Sequence, residues 1–325
     1  MLKTTTVGSF PKSEELKSAR AKVRRGQMEA AQLKALEQAE TKEWIRLQEE
    51  IGIDILVDGE LYRGDMATYF AEHLEGFTIS SRVRSYGNRY YRKPIATGPI
   101  YLKKPITVEW FQFAQGLTKK PVKGMLTGPY TMMDWSFNEH YPNRREFCLA
   151  LARAIHDEVK ALEAAGAQFI QIDEPAVSTR FDEIDLAVEA MKIVTQGVNV
   201  QTGTHICYGE FEKVYPQILD LAVDQIDLEF ANSNFALLDL IRKIPFTKEV
   251  GFGVLDVHSH RVETVEEIKN SIHKALEVFS PEKPYIDPDC GLKTRLKEEC
   301  VAKLKNMVAA VQEVKKELGA ATFRS

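Results

Sequence analysis

Eight short apolar runs, each followed by a longer segment of helical periodicity, constrain this 325-residue chain more than any other feature. The runs lie at residues 4–9, 53–59, 122–128, 168–174, 198–205, 225–230, 249–259 and 285–291. Short apolar runs bounded by turn residues read as buried strands, and stretches such as REFCLALARAIHDEVKALEAAG read as amphipathic helices. Strand–helix alternation over this length favours a single domain, residues 1–325, built as an α/β protein of the (β/α)8 TIM-barrel class. A doubly wound sheet is the alternative, but no G-x-G-x-x-G follows the first run. Gly52 and Gly166 stand where a helix C-terminus precedes a strand. Two segments depart from the repeat. Residues 12–51 carry two charged amphipathic helices, an N-terminal helical insertion. Residues 76–105 alternate like strands around Tyr-Gly-Asn, which predicts a β-hairpin extension; PIATGPI at 94–100 reads either as part of that hairpin or as a barrel strand.

Composition narrows the function classes. A hydrophobic content of 44% supports a sizeable core. A net charge of −4 with 28% charged residues argues against nucleic acid as a partner. The start, MLKTTTVGSFPKSEEL, turns polar too soon for a signal peptide, and no apolar run is long enough to span a bilayer. The expected location is cytoplasmic, with no membrane association. Four cysteines are too few for a disulfide framework in a chain this long, which leaves them as ligands, nucleophiles or packing groups.

In a (β/α)8 barrel the chemistry sits at the C-terminal ends of the strands. His205 and Cys207 close one run as His-x-Cys, Glu229 closes the next, and Cys290 follows the last. Two thiolates, an imidazole and a carboxylate form a donor set that suits zinc. A His-x-Cys recurs by chance, and an acid at a strand end can cap the following helix. Cys148 and Cys300 lie in helical stretches and read as packing or surface residues. Jointly, two of the four cysteines fall directly after strands, one of them beside a histidine. Ligands scattered from 205 to 290 do not follow a zinc-finger spacing and fit a catalytic site better than a folding staple.

These residues lie in segments that resemble the C-terminal catalytic barrel of cobalamin-independent methionine synthase. The matching segments are VGSFPKSEEL, DGELYRGDMATYF, MLTGPYTMMDWSF, QIDEPA, THICYGEF, LEFANSNFALL, GFGVLDVHS and IDPDCGLKTR, in order along nearly the whole chain. The resemblance implies a zinc enzyme that moves a methyl group onto the sulfur of homocysteine. It implies His205, Cys207, Glu229 and Cys290 as zinc ligands. Val7, Gly8, Ser9, Glu60 and Asp173 would hold the amino-acid part of homocysteine. Trp135 and Arg89 would lie at the methyl-donor site, and His258 would be the proton donor.

The chain matches one of the two barrels of that family, without a counterpart of the half that helps bind the folate tail. The expected donor is therefore methylcobalamin or a methylated corrinoid protein, with a methylated folate as the alternative. His258 pulls towards the folate, because a folate nitrogen leaves with a proton and cobalt(I) needs none. The other reading of His258 is support or packing near the metal. The basic run Arg82, Arg84, Arg89, Arg92 and Lys93 reads either as solvated surface or as a docking face for an acidic partner. Alkylation of another thiol such as coenzyme M is a further alternative. Glu60 and Asp173 argue against it, since two carboxylates suit an ammonium group and repel a sulfonate. A zinc-storage barrel would need none of these acids.

Overall fold

The computed structural model describes residues 2–84, 90–207 and 209–322. Its strands are β1 (Lys3–Thr4), β2 (Leu74–Arg84), β3 (Tyr90–Leu102), β4 (Gly124–Thr127), β5 (Phe137–Asn138), β6 (Phe169–Asp173), β7 (Gln201–Ile206), β8 (Gln225–Leu228), β9 (Glu249–Leu255) and β10 (Pro284–Pro288). The helices are α1 (Glu14–Arg24), α2 (Ala30–Ile51), α3 (Met66–Ala71), α4 (Val108–Gln115), α5 (Pro129–Asp134), α6 (Arg144–Ala164), α7 (Ile184–Val194), α8 (Phe211–Val214), α9 (Leu237–Lys243), α10 (Val265–Leu276) and α11 (Lys297–Thr322). Seven strands form one sheet in the order β1-β10-β9-β8-β7-β6-β4. Among the described residues no helix is long and apolar enough to cross a membrane. The chain divides into two compact units, Met1–Tyr62 with Phe113–Lys123 and Asp227–Ser325, and Arg63–Gln112 with Gly124–Ile226.

In the first unit β1, β10 and β9 pair in parallel, with Thr4 opposite Ile286 and Ile286 opposite Phe252. β10 is buried throughout, as a strand covered on both faces should be. The run at 53–59 was predicted as the second strand, and it makes isolated parallel bridges instead of a ladder: Leu56 to Val122 and Ser9 to Gly59. At the start of the run the Asp54 carboxylate accepts the Thr4 N–H at 2.9 Å, and the Thr4 carbonyl accepts from Asp54 N and Ile55 N at 3.1 and 3.0 Å. The predicted helical insertion is α1 and α2. Ser13 caps α1 through its side chain, and Gly52 closes α2 with φ +97°, a conformation other residues adopt only under strain. Phe10 stacks on Trp44 of α2 at 4.1 Å, which fastens the chain just after Ser9 to that helix.

In the second unit β4, β6 and β7 pair in parallel, with Leu126 opposite Ile172 and Ile170 opposite Thr202. Between β6 and β4, α6 begins at an Asn143 cap and ends before Gly166 at φ +95°, as the sequence predicts. The predicted hairpin is β2 and β3, antiparallel, with Thr78 opposite Ile95. PIATGPI lies within β3, so it belongs to the hairpin. The register sets Arg82 opposite Arg92. The hairpin tip at 85–89 lies outside the described residues. β5 pairs in parallel with β3 and has no counterpart among the predicted strands.

Candidate metal centre and substrate site

β7 carries His205 as its last residue but one, and Cys207 follows the strand's end. Residues two apart on extended backbone point to the same side, so His-x-Cys delivers an imidazole and a thiol together. Both are buried, at 3% and 4% exposure. Their backbone is tied to the end of β6: the His205 carbonyl accepts from Glu174 N at 3.0 Å, and the Cys207 carbonyl accepts from Ser178 Oγ at 2.8 Å. Cys290 follows β10 and is half-buried. His205, Cys207 and Cys290 form a group of metal-ligating type whose ligand atoms all lie within 4.8 Å of one another. One imidazole and two thiols fit a borderline-soft divalent ion such as zinc. Glu229 is buried just past β8 and stands outside that three-residue group.

The loop behind Glu229 has its own anchor. Asp289 is fully buried, and its carboxylate accepts the N–H groups of Phe230, Ala231 and Asn232 at 2.9, 3.0 and 2.6 Å. Burial pushes the Asp289 carboxyl up to about 7, against the pull of those three hydrogen bonds, and the charge of Glu229 adds to the rise. Further along, Asn234 and Phe235 take left-handed backbone, φ +51° and +63°. Such backbone is unusual for a bulky residue and is typical of loops whose shape serves a site.

The residues expected to hold an amino acid gather in two places. In the first unit, Val7 and Gly8 are buried and Ser9 is half-buried. Ser9 bridges to Gly59, and its carbonyl accepts from Leu292 N at 2.8 Å, just past Cys290. Gly291 sits so close that a Cβ there would fall on Ser9 Oγ. Glu60 has φ +54°. Its N–H donates to Asp58 Oδ1 at 2.9 Å, and the other Asp58 oxygen accepts from Tyr62 OH at 2.8 Å. The Glu60 carbonyl accepts from Lys12 at 3.2 Å. A left-handed non-glycine whose N–H and carbonyl are both held is a sign of a side chain held for a purpose. In the second unit, Asp173 ends β6 at 7% exposure and accepts from Gln171 Nε2 at 2.8 Å.

Trp135 is half-buried at the C-cap of α5. That helix is fixed at its other end by Glu174, whose carboxylate accepts from the N–H groups of Tyr130 and Thr131 at 3.0 and 2.7 Å. Burial pushes Glu174 up to about 7 despite these bonds. Arg89 lies outside the described residues. His258 is exposed in the loop after β9, its N–H held by Asp256 Oδ1 at 2.8 Å. Cys148 and Cys300 are fully buried; burial raises both thiols, Cys300 to about 12, as suits packing residues. Glu174 and Asp289, which brace the neighbouring backbone, stand at strand ends in the sequence and were given no role there. The available signal was a second acid beside a candidate site residue, Asp173-Glu174 and Asp289-Cys290.

A family model described as "Cobalamin-independent synthase, Catalytic domain" matches residues 2–313. The chain is 44% identical over 328 residues to a 5-methyltetrahydropteroyltriglutamate--homocysteine methyltransferase of Bacillus velezensis, covering 97% of this chain and 43% of that protein. It is 43% identical over 331 residues to the protein of the same name from Campylobacter jejuni, covering 98% and 44%. The chain thus spans less than half the length of these relatives. A solved B12-independent methionine synthase from Shewanella sp. W3-18-1, in complex with selenomethionine, superposes with a TM-score of 0.88 at 30% identity, covering 98% of this chain and 99% of that one. The fold class is α/β of the TIM-barrel type, as the alternating runs predict. The expectation of methylcobalamin or a corrinoid protein as donor is overturned: the matched family is cobalamin-independent, and the Bacillus and Campylobacter relatives are named for a methylated pteroyltriglutamate. Chain length was the wrong guide, because it says nothing of which leaving group these residues can serve.

Proposed function

The chain belongs to the cobalamin-independent synthase family, as its catalytic domain, and we propose on that premise that it transfers the methyl group of a 5-methyltetrahydrofolate, in the triglutamate form named for its relatives, to homocysteine, yielding methionine. The observation that carries the reading is the His205–Cys207–Cys290 group within 4.8 Å, in a chain matched to that family from residue 2 to 313. Residues 1–325 act in this reading as one catalytic domain.

His205, Cys207, Cys290 and Glu229 would hold zinc, with Glu229 the donor least suited to a soft site and the first to yield to a substrate thiol. Bound zinc would supply one thing, a homocysteine sulfur kept ionised at neutral pH, where a free thiol near pKa ~8.5 is mostly protonated. The protein's side chains do the rest. The carboxylates of Glu60 and Asp173 hold the α-ammonium group. The Ser9 hydroxyl and the amides of Val7 to Ser9 hold the α-carboxylate. Trp135 lies against the pterin, and Arg89 serves the donor site. With both substrates held, a sulfur–carbon bond forms as the nitrogen–methyl bond breaks, and His258 delivers the proton that the leaving nitrogen takes up. Positioning of this kind replaces an encounter in solution and lowers the barrier by several kcal/mol, roughly 7–11 at best. Supplying zinc-loaded protein with methylated folate and either homocysteine or coenzyme M tests the acceptor. Methionine forms from the first if the reading holds; consumption of coenzyme M with no methionine contradicts it.

A further inference from the structure

The loop that carries His258 is held from behind by one face of the last helix. It runs from the end of β9 to Thr264, the N-cap of α10. On α11, Glu299, Lys303 and Asn306 are spaced i, i+4 and i+7, and so share a face. Each reaches a different point of the loop. Glu299 contacts His260 Nδ1 at 2.8 Å. Lys303 Nζ donates to the Asp256 carbonyl at 3.0 Å and to the two Glu263 carboxylate oxygens at 3.0 and 2.8 Å. Asn306 Nδ2 donates to the Glu263 carbonyl at 2.7 Å. Glu263 Oε1 in turn accepts the Asp256 N–H at 3.1 Å. The Lys303–Glu263 pair therefore takes both backbone polar groups of Asp256. The Asp256 side chain takes the next link, the N–H of His258 at 2.8 Å.

Lys303 is fully buried and Glu263 is 6% exposed. Burying such a pair costs about as much in lost hydration as the attraction returns, so stability alone is a weak reason for it. What the pair does supply is a fixed set of five hydrogen bonds linking a long helix to the backbone of an exposed histidine.

We propose that Lys303 and Glu263 are positioning residues for His258. The pair pins Asp256, and Asp256 sets the point from which the imidazole reaches the leaving nitrogen. This deepens the proposed function and rests on its reading of His258 as proton donor.

The test uses the full zinc-loaded chain. Lys303→Met alone would leave Glu263 buried and unpaired, so the informative variant is the double one, Lys303→Met with Glu263→Leu, which removes both charges and keeps most of the bulk. Asp256→Ala cuts the last link only and carries the same test if the double variant does not fold. His258→Asn is measured alongside. For the positioning variants the expected result is a kcat lower by tenfold or more, since a displacement of about 1 Å costs on the order of 100-fold. Zinc content and the KM for homocysteine should stay within about twofold of wild type, and amide exchange at His258 should quicken. If His258→Asn loses activity while a folded positioning variant keeps full kcat and slow exchange, the inference is overturned and the proton-donor reading stands. If His258→Asn is as active as wild type, the proton-donor reading fails and the inference falls with it.

Discussion

Replacing Gly291 by alanine should remove one hydroxyl from the amino-acid site without changing any proposed metal ligand. The new Cβ would fall on Ser9 Oγ but meet Ser9 Cβ only at 3.4 Å and Ser9 N at 3.5 Å, which are ordinary contacts. The backbone can stay in place while the hydroxyl rotates away. Ser9 Oγ is proposed to donate to the homocysteine carboxylate, and a hydrogen bond to a charged group contributes about 1.5–3 kcal/mol. Its loss corresponds to roughly tenfold to 150-fold weaker binding. Calorimetric titration of homocysteine into zinc-loaded Gly291→Ala and wild type reads that ratio directly, and Ser9→Ala should match it. Combining the two substitutions should add little, because both delete the same contact. Unchanged homocysteine affinity in Gly291→Ala would refute the placement of Ser9 against the carboxylate. A fall in zinc content instead would mean that the perturbation travels to Cys290.

Other expectations follow from the same geometry. Cys290→Ser should lower zinc affinity at least tenfold in a competitive chelator titration, since one of three clustered donors loses its thiolate; retention of stoichiometric zinc at wild-type affinity would remove Cys290 from the site. Trp135→Ala should raise the KM for the methylated folate about tenfold and leave homocysteine binding alone, and steady-state kinetics with each substrate varied separates the two. Burial raises Glu174 from 4.5 to about 7, so the native state keeps a proton that the unfolded chain has lost. That stability is present below pH 4.5 and is lost as pH rises through 7, amounting to about 3 kcal/mol. In urea unfolding of the metal-free protein, Glu174→Gln should show a smaller drop between pH 5 and pH 8 than wild type; equal drops would count against the buried carboxyl as the source.

The strands were legible where short, mostly apolar stretches follow helical segments and end in turn residues. β6, β9 and β10 lie within their predicted runs or within a residue of them. The run at 53–59 reads equally well as a strand, yet it makes only isolated bridges, Leu56 to Val122 and Gly59 to Ser9. β5, two exposed residues paired to a hairpin, carries no sequence signal at all. Of the site, His205, Cys207 and Cys290 could be read from their position after strands, and they do gather. The residues that hold the site in shape could not be read. Asp289 reaches back to Phe230, and Lys303 to Glu263 and Asp256, across 40 to 59 positions. A buried acid or lysine announces its partner only once the chain is folded.

Methionine formation is the most direct check on the central claim. Zinc-loaded protein, homocysteine and 5-methyltetrahydropteroyltriglutamate should give methionine in a catalytic, zinc-dependent reaction that is lost in His205→Ala and Cys207→Ala and needs no cobalamin. No methionine from that mixture, with zinc bound and the protein folded, would contradict the account.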